Sequence, residues 1–213
     1  MFRSILILFL ANFSLTGLGA QDDWALKEEE SGIRVYTRHG DSKNDEIKVE
    51  LTLSTKLSNI AAVLLDIPNY SEWSYNCQRS YVLKELAKND IYFYNEVKTV
   101  WPASDRDVVA RLKMNQDSGT KILTVHTVSD PHFIPEKKDF VRVPFSNEIW
   151  TVTPLSSSEV KILYYLQIDP GGAAPSWLIN LFSTKAPLES FKKFSTQVQQ
   201  SKYEQAVLDF IKN

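Results

Sequence analysis

Along residues 47–53 the side chains alternate strictly: Ile47, Val49, Leu51 and Leu53 are apolar, and Lys48, Glu50 and Thr52 between them are polar. A period of two puts the apolar set on one side of an extended chain, so the segment predicts a half-buried strand. Similar runs predict strands at about 80–86, 90–100, 106–115, 120–129, 140–153 and 159–168. Turn chemistry separates them, at Lys88-Asn89-Asp90, Asp117-Ser118-Gly119 and Ser156-Ser157-Ser158. Connections this short cannot form parallel crossovers, so an antiparallel meander is expected.

Helical patterns lie early and late. Ser58 to Asp66 predicts a short helix stopped by Pro68, and the charged run Lys27-Glu28-Glu29-Glu30 reads as a solvated helix face. After the break at Asp169-Pro170-Gly171-Gly172, Pro175 opens a helix carrying Trp177, Leu178, Leu181 and Phe182. Pro187 suits the first turn of a second, longer helix, where its missing amide hydrogen costs nothing. There Leu188, Phe191, Phe194 and Val198 form an apolar stripe, with Lys192, Lys193, Gln197 and Gln199 on the other side. The last strand gathers Val160, Ile162, Tyr164, Leu166 and Ile168 on one face, which needs an apolar partner. The expected fold is therefore α+β, a curved antiparallel sheet gripping a long C-terminal helix and leaving an internal cavity at its margins.

Charge and composition narrow the function. The 213 residues carry 24 basic and 26 acidic side chains, a net charge of −2, which does not supply the basic face of a nucleic-acid binder. Arg3, the apolar run Ile5 to Leu10 and the small residues Gly17-Leu18-Gly19-Ala20 have the layout of an export signal over residues 1–20. The product is then expected beyond the cytoplasmic membrane, periplasmic or secreted. No cysteine follows the apolar run to take a lipid anchor. Residues 21–213 are read as one domain with a real core. The lone Cys77 cannot form an internal disulfide, and a small buried thiol is its expected state.

Catalytic and metal patterns are thin. His39, His126 and His132 are scattered without ligand spacing, so no metal site is expected, and there is no Gly-x-Ser-x-Gly elbow. Gly171-Gly172 reads as a turn and not as a phosphate cradle.

The densest motif is Trp101-Pro102-Ala103-Ser104-Asp105-Arg106-Asp107. Proline ends one strand there, polar residues bend the chain, and Val108-Val109 starts the next. Arg106 between Asp105 and Asp107 reads first as a structural clamp on the bend, with a ligand contact as the alternative. Together with Tyr70-Ser71-Glu72-Trp73, the Asp169-Pro170-Gly171-Gly172 turn, Pro175-Ser176-Trp177-Leu178-Ile179-Asn180 and Lys185-Ala186-Pro187-Leu188-Glu189, it resembles the START domains, the lipid-transfer family related to the steroidogenic acute regulatory protein. The resemblance covers roughly residues 22 to 200.

That resemblance implies a helix-grip fold with an apolar tunnel holding one hydrophobic lipid, without a cofactor, and meeting membrane surfaces transiently. Alternation then nominates the tunnel wall. Phe93, Asn95 and Val97 share one face, as do Val108, Ala110 and Leu112, which turns Arg111 and Glu96 away from the ligand. Trp150, Tyr164, Leu166, Phe191 and Phe194 serve either the core or the wall. Asn95 and His126 are the candidate polar contacts. The basic partner that sterol-binding relatives place in the tunnel is missing at Arg111, which leaves the ligand unnamed. A fixed lipid sensor with a protein partner, or a polyketide cyclase or hydrolase on the same fold, are the alternatives to a carrier.

Overall fold

The computed structural model describes residues 23–39 and 45–213. The expected export signal lies outside the described residues. The strands are β1 (Ala25–Glu30), β2 (Ile33–His39), β3 (Asp45–Leu53), β4 (Cys77–Ala87), β5 (Asp90–Val97), β6 (Arg106–Gln116), β7 (Leu123–Ser129), β8 (Val141–Arg142), β9 (Phe145–Ser156) and β10 (Glu159–Asp169). They join in one sheet of order β1-β2-β3-β10-β9-β7-β6-β5-β4, antiparallel throughout this path, with β8 lying parallel to the start of β6.

The topology explains the curvature. After β3 the chain leaves the sheet through α1 (Leu57–Leu65) and the one-turn α2 (Tyr70–Trp73). It returns at the far edge as β4, then meanders back until β10 lies on β3. The two alternating faces read from the sequence meet there in register: Val49 opposite Tyr164, Leu51 opposite Ile162, Leu53 opposite Val160.

One element differs from expectation. Lys27 to Glu30 is not a helix face but part of the edge strand β1. Ser31 and Gly32, both at positive φ (53° and 77°), make the two-residue turn that a tight hairpin into β2 requires. Its glutamates are tolerated because an edge strand faces water on one side, where charge discourages pairing with another chain.

Across the concave face lies α4 (Lys185–Gln197), burying Leu188, Phe191 and Phe194, with Val198 just beyond its end. Gln197, expected on the polar side, is buried too, because its amide donates to Tyr203 Oη at 3.1 Å. Pro187 sits in its first turn, as the sequence predicts. The shorter α3 (Ser176–Ser183) is separated from it at Thr184, whose φ −126°, ψ −79° is not helical. The turn before α3 needs glycine, because Gly171 has φ +72° and a side chain there would meet the Arg142 carbonyl oxygen at 2.9 Å.

An aromatic cluster locks α4 to the sheet and α2. Trp150 lies 5.0 Å from Tyr164 and from Phe191 and 5.1 Å from Phe194, and Trp73 lies 5.2 Å from Phe194 between ring centres. Such pairs add about 0.5–1.5 kcal/mol each beyond the area they bury.

Candidate functional site

The sheet and α4 do not meet everywhere. Between them lies a cavity of about 200 Å³, walled by Phe93, Asn95 and Val97 of β5, Val108, Ala110 and Leu112 of β6, Val125 and Thr127 of β7, Ser146, Glu148 and Trp150 of β9, and Tyr164, Leu166 and Ile168 of β10. The helical side supplies Leu64, Tyr70, Trp73, Phe182, Ala186, Pro187, Ser190 and Phe191. Alternation explains the sheet contribution, since every second residue of each strand points inward. A second space of about 70 Å³ shares Val97, Val108, Ile168 and Phe182 with the first. It is capped by Ile179, Phe182 and Ser183 of α3 and reached by Arg106.

Among the described residues lining the larger space, Glu148 is the one acid, and no Lys, Arg or His joins it. Its carboxylate accepts a hydrogen bond from Trp150 Nε1. Burial is the dominant influence and raises its pKa from the ordinary 4.5 to about 7, against which the Trp150 bond works. Glu148 is partly exposed and lines the cavity. Burial also raises the Tyr70 and Tyr164 hydroxyls well above the usual tyrosine value, with the nearby Glu148 adding to it. Tyr70 Oη donates to the Leu64 carbonyl oxygen at 2.6 Å. Ser80 Oγ donates to Asn95 Oδ1 at 2.5 Å. Trp73 Nε1–H, by contrast, is buried with no hydrogen-bond partner among the described residues.

The bend at Trp101–Asp107 is built differently from the expected clamp. Consecutive strand residues face opposite sides, so Arg106 points inward to the smaller space while Asp107 points outward. Arg106 therefore does not pair with Asp107. It donates to the carbonyl oxygens of Ser104 and, at 3.4 Å, Pro170, tying the bend to the turn before α3. Burial lowers its pKa below the usual arginine value, with the Asp105 charge opposing that. Asp105 receives Thr99 N at 2.9 Å and Lys98 Nζ at 3.2 Å, and Asp107 is held by Arg142. Trp101 itself is 88% exposed at the tip, beside the exposed Val100.

Of the residues expected on the wall, the structure brings Phe93, Asn95, Val97, Val108, Ala110, Leu112, Trp150, Tyr164, Leu166 and Phe191 around the cavity. Phe194 is instead fully buried in the aromatic cluster behind it. His126 is displaced outright: Leu123, Val125 and Thr127 are the buried set of β7, so His126 is exposed and meets Asn147 at 2.6 Å on the outer face. Thr127 takes the inward place. Glu148 went unrecognised, although a lone acid between Ser146, Trp150 and Val152 on the inward face of β9 was a readable signal.

The fold and its cavity define a class: a helix-grip domain built around a largely apolar space. Residues 10–204 match the START domain family, and the chain belongs to it. Among curated relatives, it is 31% identical over 177 residues to the phosphatidylcholine transfer protein of Rattus norvegicus, covering 80% of this chain and 81% of that one. It is 29% identical over 187 residues to an uncharacterized protein of Pseudomonas aeruginosa, covering 87% and 92%. Among solved structures, a STAR-related lipid transfer protein of Xanthomonas axonopodis superposes with a TM-score of 0.77 at 29% identity, covering 84% of this chain and 100% of that one.

Proposed function

We propose that this chain carries one lipid molecule, holding its hydrocarbon in the cavity between sheet and α4 and exchanging it at membrane surfaces without chemical change. The observation that carries the reading is the cavity between sheet and helices, whose wall is mostly aliphatic and aromatic. Each buried methylene contributes about 0.8 kcal/mol, so a long acyl chain gains on the order of 10 kcal/mol gross. Escape directly into water is then slow, and exchange belongs where the protein touches a bilayer.

Neither cavity reaches the roughly 300–1,000 Å³ of a pocket that encloses a drug-sized ligand. The walls must part for a lipid to be housed, and α3 is the element we assign to that movement. It covers the smaller space, lies between the Gly171-Gly172 turn and the break at Thr184, and leaves Trp177 43% exposed. The loop 129–138 is fastened down by contrast. Arg142 holds the carbonyl oxygens of Pro131, Ile134 and Pro135, and Phe133 stacks on Tyr92 at 4.0 Å outside the sheet. Exposed Trp101 and Trp177 suit the bilayer interface, where an aromatic ring with a polar tip is favoured.

Carrying is favoured over nucleophilic catalysis by the state of the one cysteine. The Cys77 thiol is pushed up to about 11 by burial, the wrong direction for a nucleophile. Export, proposed from the N-terminal pattern, is checked by N-terminal sequencing of protein from its native source. The function is tested by transfer of a fluorescent lipid between donor and acceptor vesicles. Wild type should accelerate transfer, and Trp101→Ala should slow it while the soluble complex remains loaded. A chain that neither loads nor accelerates transfer contradicts the reading.

A further inference from the structure

The larger cavity is not uniformly apolar, and its polar groups include both donors and acceptors. Glu148 offers a carboxyl whose protein partner is Trp150 Nε1. Trp73, 93% buried by its 7% exposure, lines the same cavity with an indole N–H that has no partner. Asn95 uses its Oδ1 on Ser80, which leaves its Nδ2 to donate. We propose that Glu148 is a specificity-determining residue of the cavity, hydrogen-bonding the buried end of a lipid whose polar group is an uncharged hydroxyl or amide and turning away lipids that bring a phosphate there. The proposal rests on the lipid-binding reading above and gives that site its ligand class.

Three head groups can be compared. A phosphate in this space would meet a carboxyl and no Lys, Arg or His, and a buried charge without a partner is strongly disfavoured. Arg106 reaches only the adjoining space, with its N–H groups on the carbonyl oxygens of Ser104 and Pro170. An ammonium has donors and no acceptor, so it would leave the Trp73 N–H unsatisfied. A hydroxyl or amide both donates and accepts. It can take an N–H of the wall and exchange a hydrogen bond with the carboxyl, whichever way that bond runs.

The groups facing Glu148 keep this balance near neutrality. Thr127 of β7 and Leu166 of β10 lie opposite it in the sheet. Tyr164 of β10 and Tyr70 of α2 are the tyrosines that feel its charge, and burial holds both in their neutral forms. Among the described residues lining the larger cavity there is no Lys, Arg or His to hold Glu148 ionised, which agrees with a carboxyl that burial raises to about 7. Raising the pH through that value places a negative charge in the cavity and should weaken retention of an uncharged head.

The test uses four probes with the same tail: octadecanol, stearamide, octadecylamine and octadecyl phosphate, each below its aggregation concentration. Wild type should bind the alcohol and the amide about tenfold or more tighter than the phosphate or the amine. That affinity should fall between pH 6 and pH 8. Glu148→Gln should keep the preference and lose the pH dependence, and Glu148→Leu should bind all four tails with the preference gone. Circular dichroism at each pH confirms that both variants are folded. Equal affinity for all four in wild type, or a preference untouched in Glu148→Leu, overturns the assignment of Glu148 while leaving lipid binding intact. Tighter binding of the amine assigns the site to a cation and overturns it also. Failure to bind any probe overturns the lipid-binding reading itself, and this proposal with it.

Discussion

Asp107 and Arg142 form a two-pronged ion pair sealed from water. Arg142 Nε donates to Oδ1 at 2.9 Å and Nη2 to Oδ2 at 3.0 Å, with side-chain exposures of 3% and 1%. Tyr94 Oη adds a third bond to the same carboxylate at 3.0 Å. The Asp107 bond raises the Arg142 guanidinium above its usual value, partly opposed by burial. Because Arg142 also holds three loop carbonyl oxygens, the pair joins β6 to the segment that covers the outer face of the sheet.

Removing one partner of such a pair strands the other charge, a cost of about 3–5 kcal/mol. Asp107→Ala should therefore lower the urea midpoint by an amount corresponding to that range. Lys98→Ala, which removes the more exposed partner of Asp105, should cost less than about 1 kcal/mol. Similar losses in the two variants would show that the buried pair has no special weight.

Arg106 makes a separate prediction. Its bonds to carbonyl oxygens place it in the structure of the bend, and a hydrogen bond from a charged donor contributes about 1.5–3 kcal/mol. Arg106→Ala should lower the melting temperature and leave the profile of bound lipids unchanged. Unchanged melting with an altered profile would move Arg106 into ligand recognition.

These two arginines mark where the sequence was legible. Strand periodicity located Val108, Ala110 and Leu112 on the inward face and correctly turned Arg111 outward, where it meets Asp90 at 2.7 Å. The same rule places Arg106 and Asp107 on opposite faces, yet adjacency along the chain suggested a pair. Arg142, the actual partner, is 35 residues away and brought there only by the pairing of β8 with β6. Periodicity failed on β7, where polar Thr124, His126 and Thr127 blur which set is inward, and on β1, whose charges hide a strand at the sheet edge. Glu148 was readable in position but not in state, because its burial depends on β7 and β10 closing over it.

Glu148 ties stability to pH with a definite sign. Its folded-state value, raised to about 7 from 4.5, means that the folded chain holds a proton that the unfolded chain releases. Stability contributed by this group is complete below about pH 4.5 and is lost as pH rises to about 7, by up to roughly 3 kcal/mol. Glu148→Gln should remove that slope, so its advantage over wild type should grow from pH 5 to pH 7.5 in urea titrations. Parallel pH profiles for the two proteins would contradict this.

Movement of α3 is tested by fastening it. Ile47 of β3 and Ser183 of α3 line the same small space, so Ile47→Cys with Ser183→Cys can be joined by a short reducible bismaleimide. The pair is built in a Cys77→Ser background, because Cys77, at 7% exposure, is no more buried than Ile47 at 1% or Ser183 at 5%. Lipid uptake should stop in the cross-linked protein and recover on cleavage of the linker. Uptake at an unchanged rate would assign the opening to another element.

The central claim, one lipid in the cavity between sheet and α4, is met most directly by native mass spectrometry of the purified protein after incubation with mixed fatty alcohols, fatty acids, ceramides and phospholipids. The account predicts a species heavier than the polypeptide by one lipid, and its loss in Ala110→Phe, whose ring would occupy the space that Ala110 now borders. Wild type that stays at the bare polypeptide mass, or Ala110→Phe that loads as well as wild type, would contradict it.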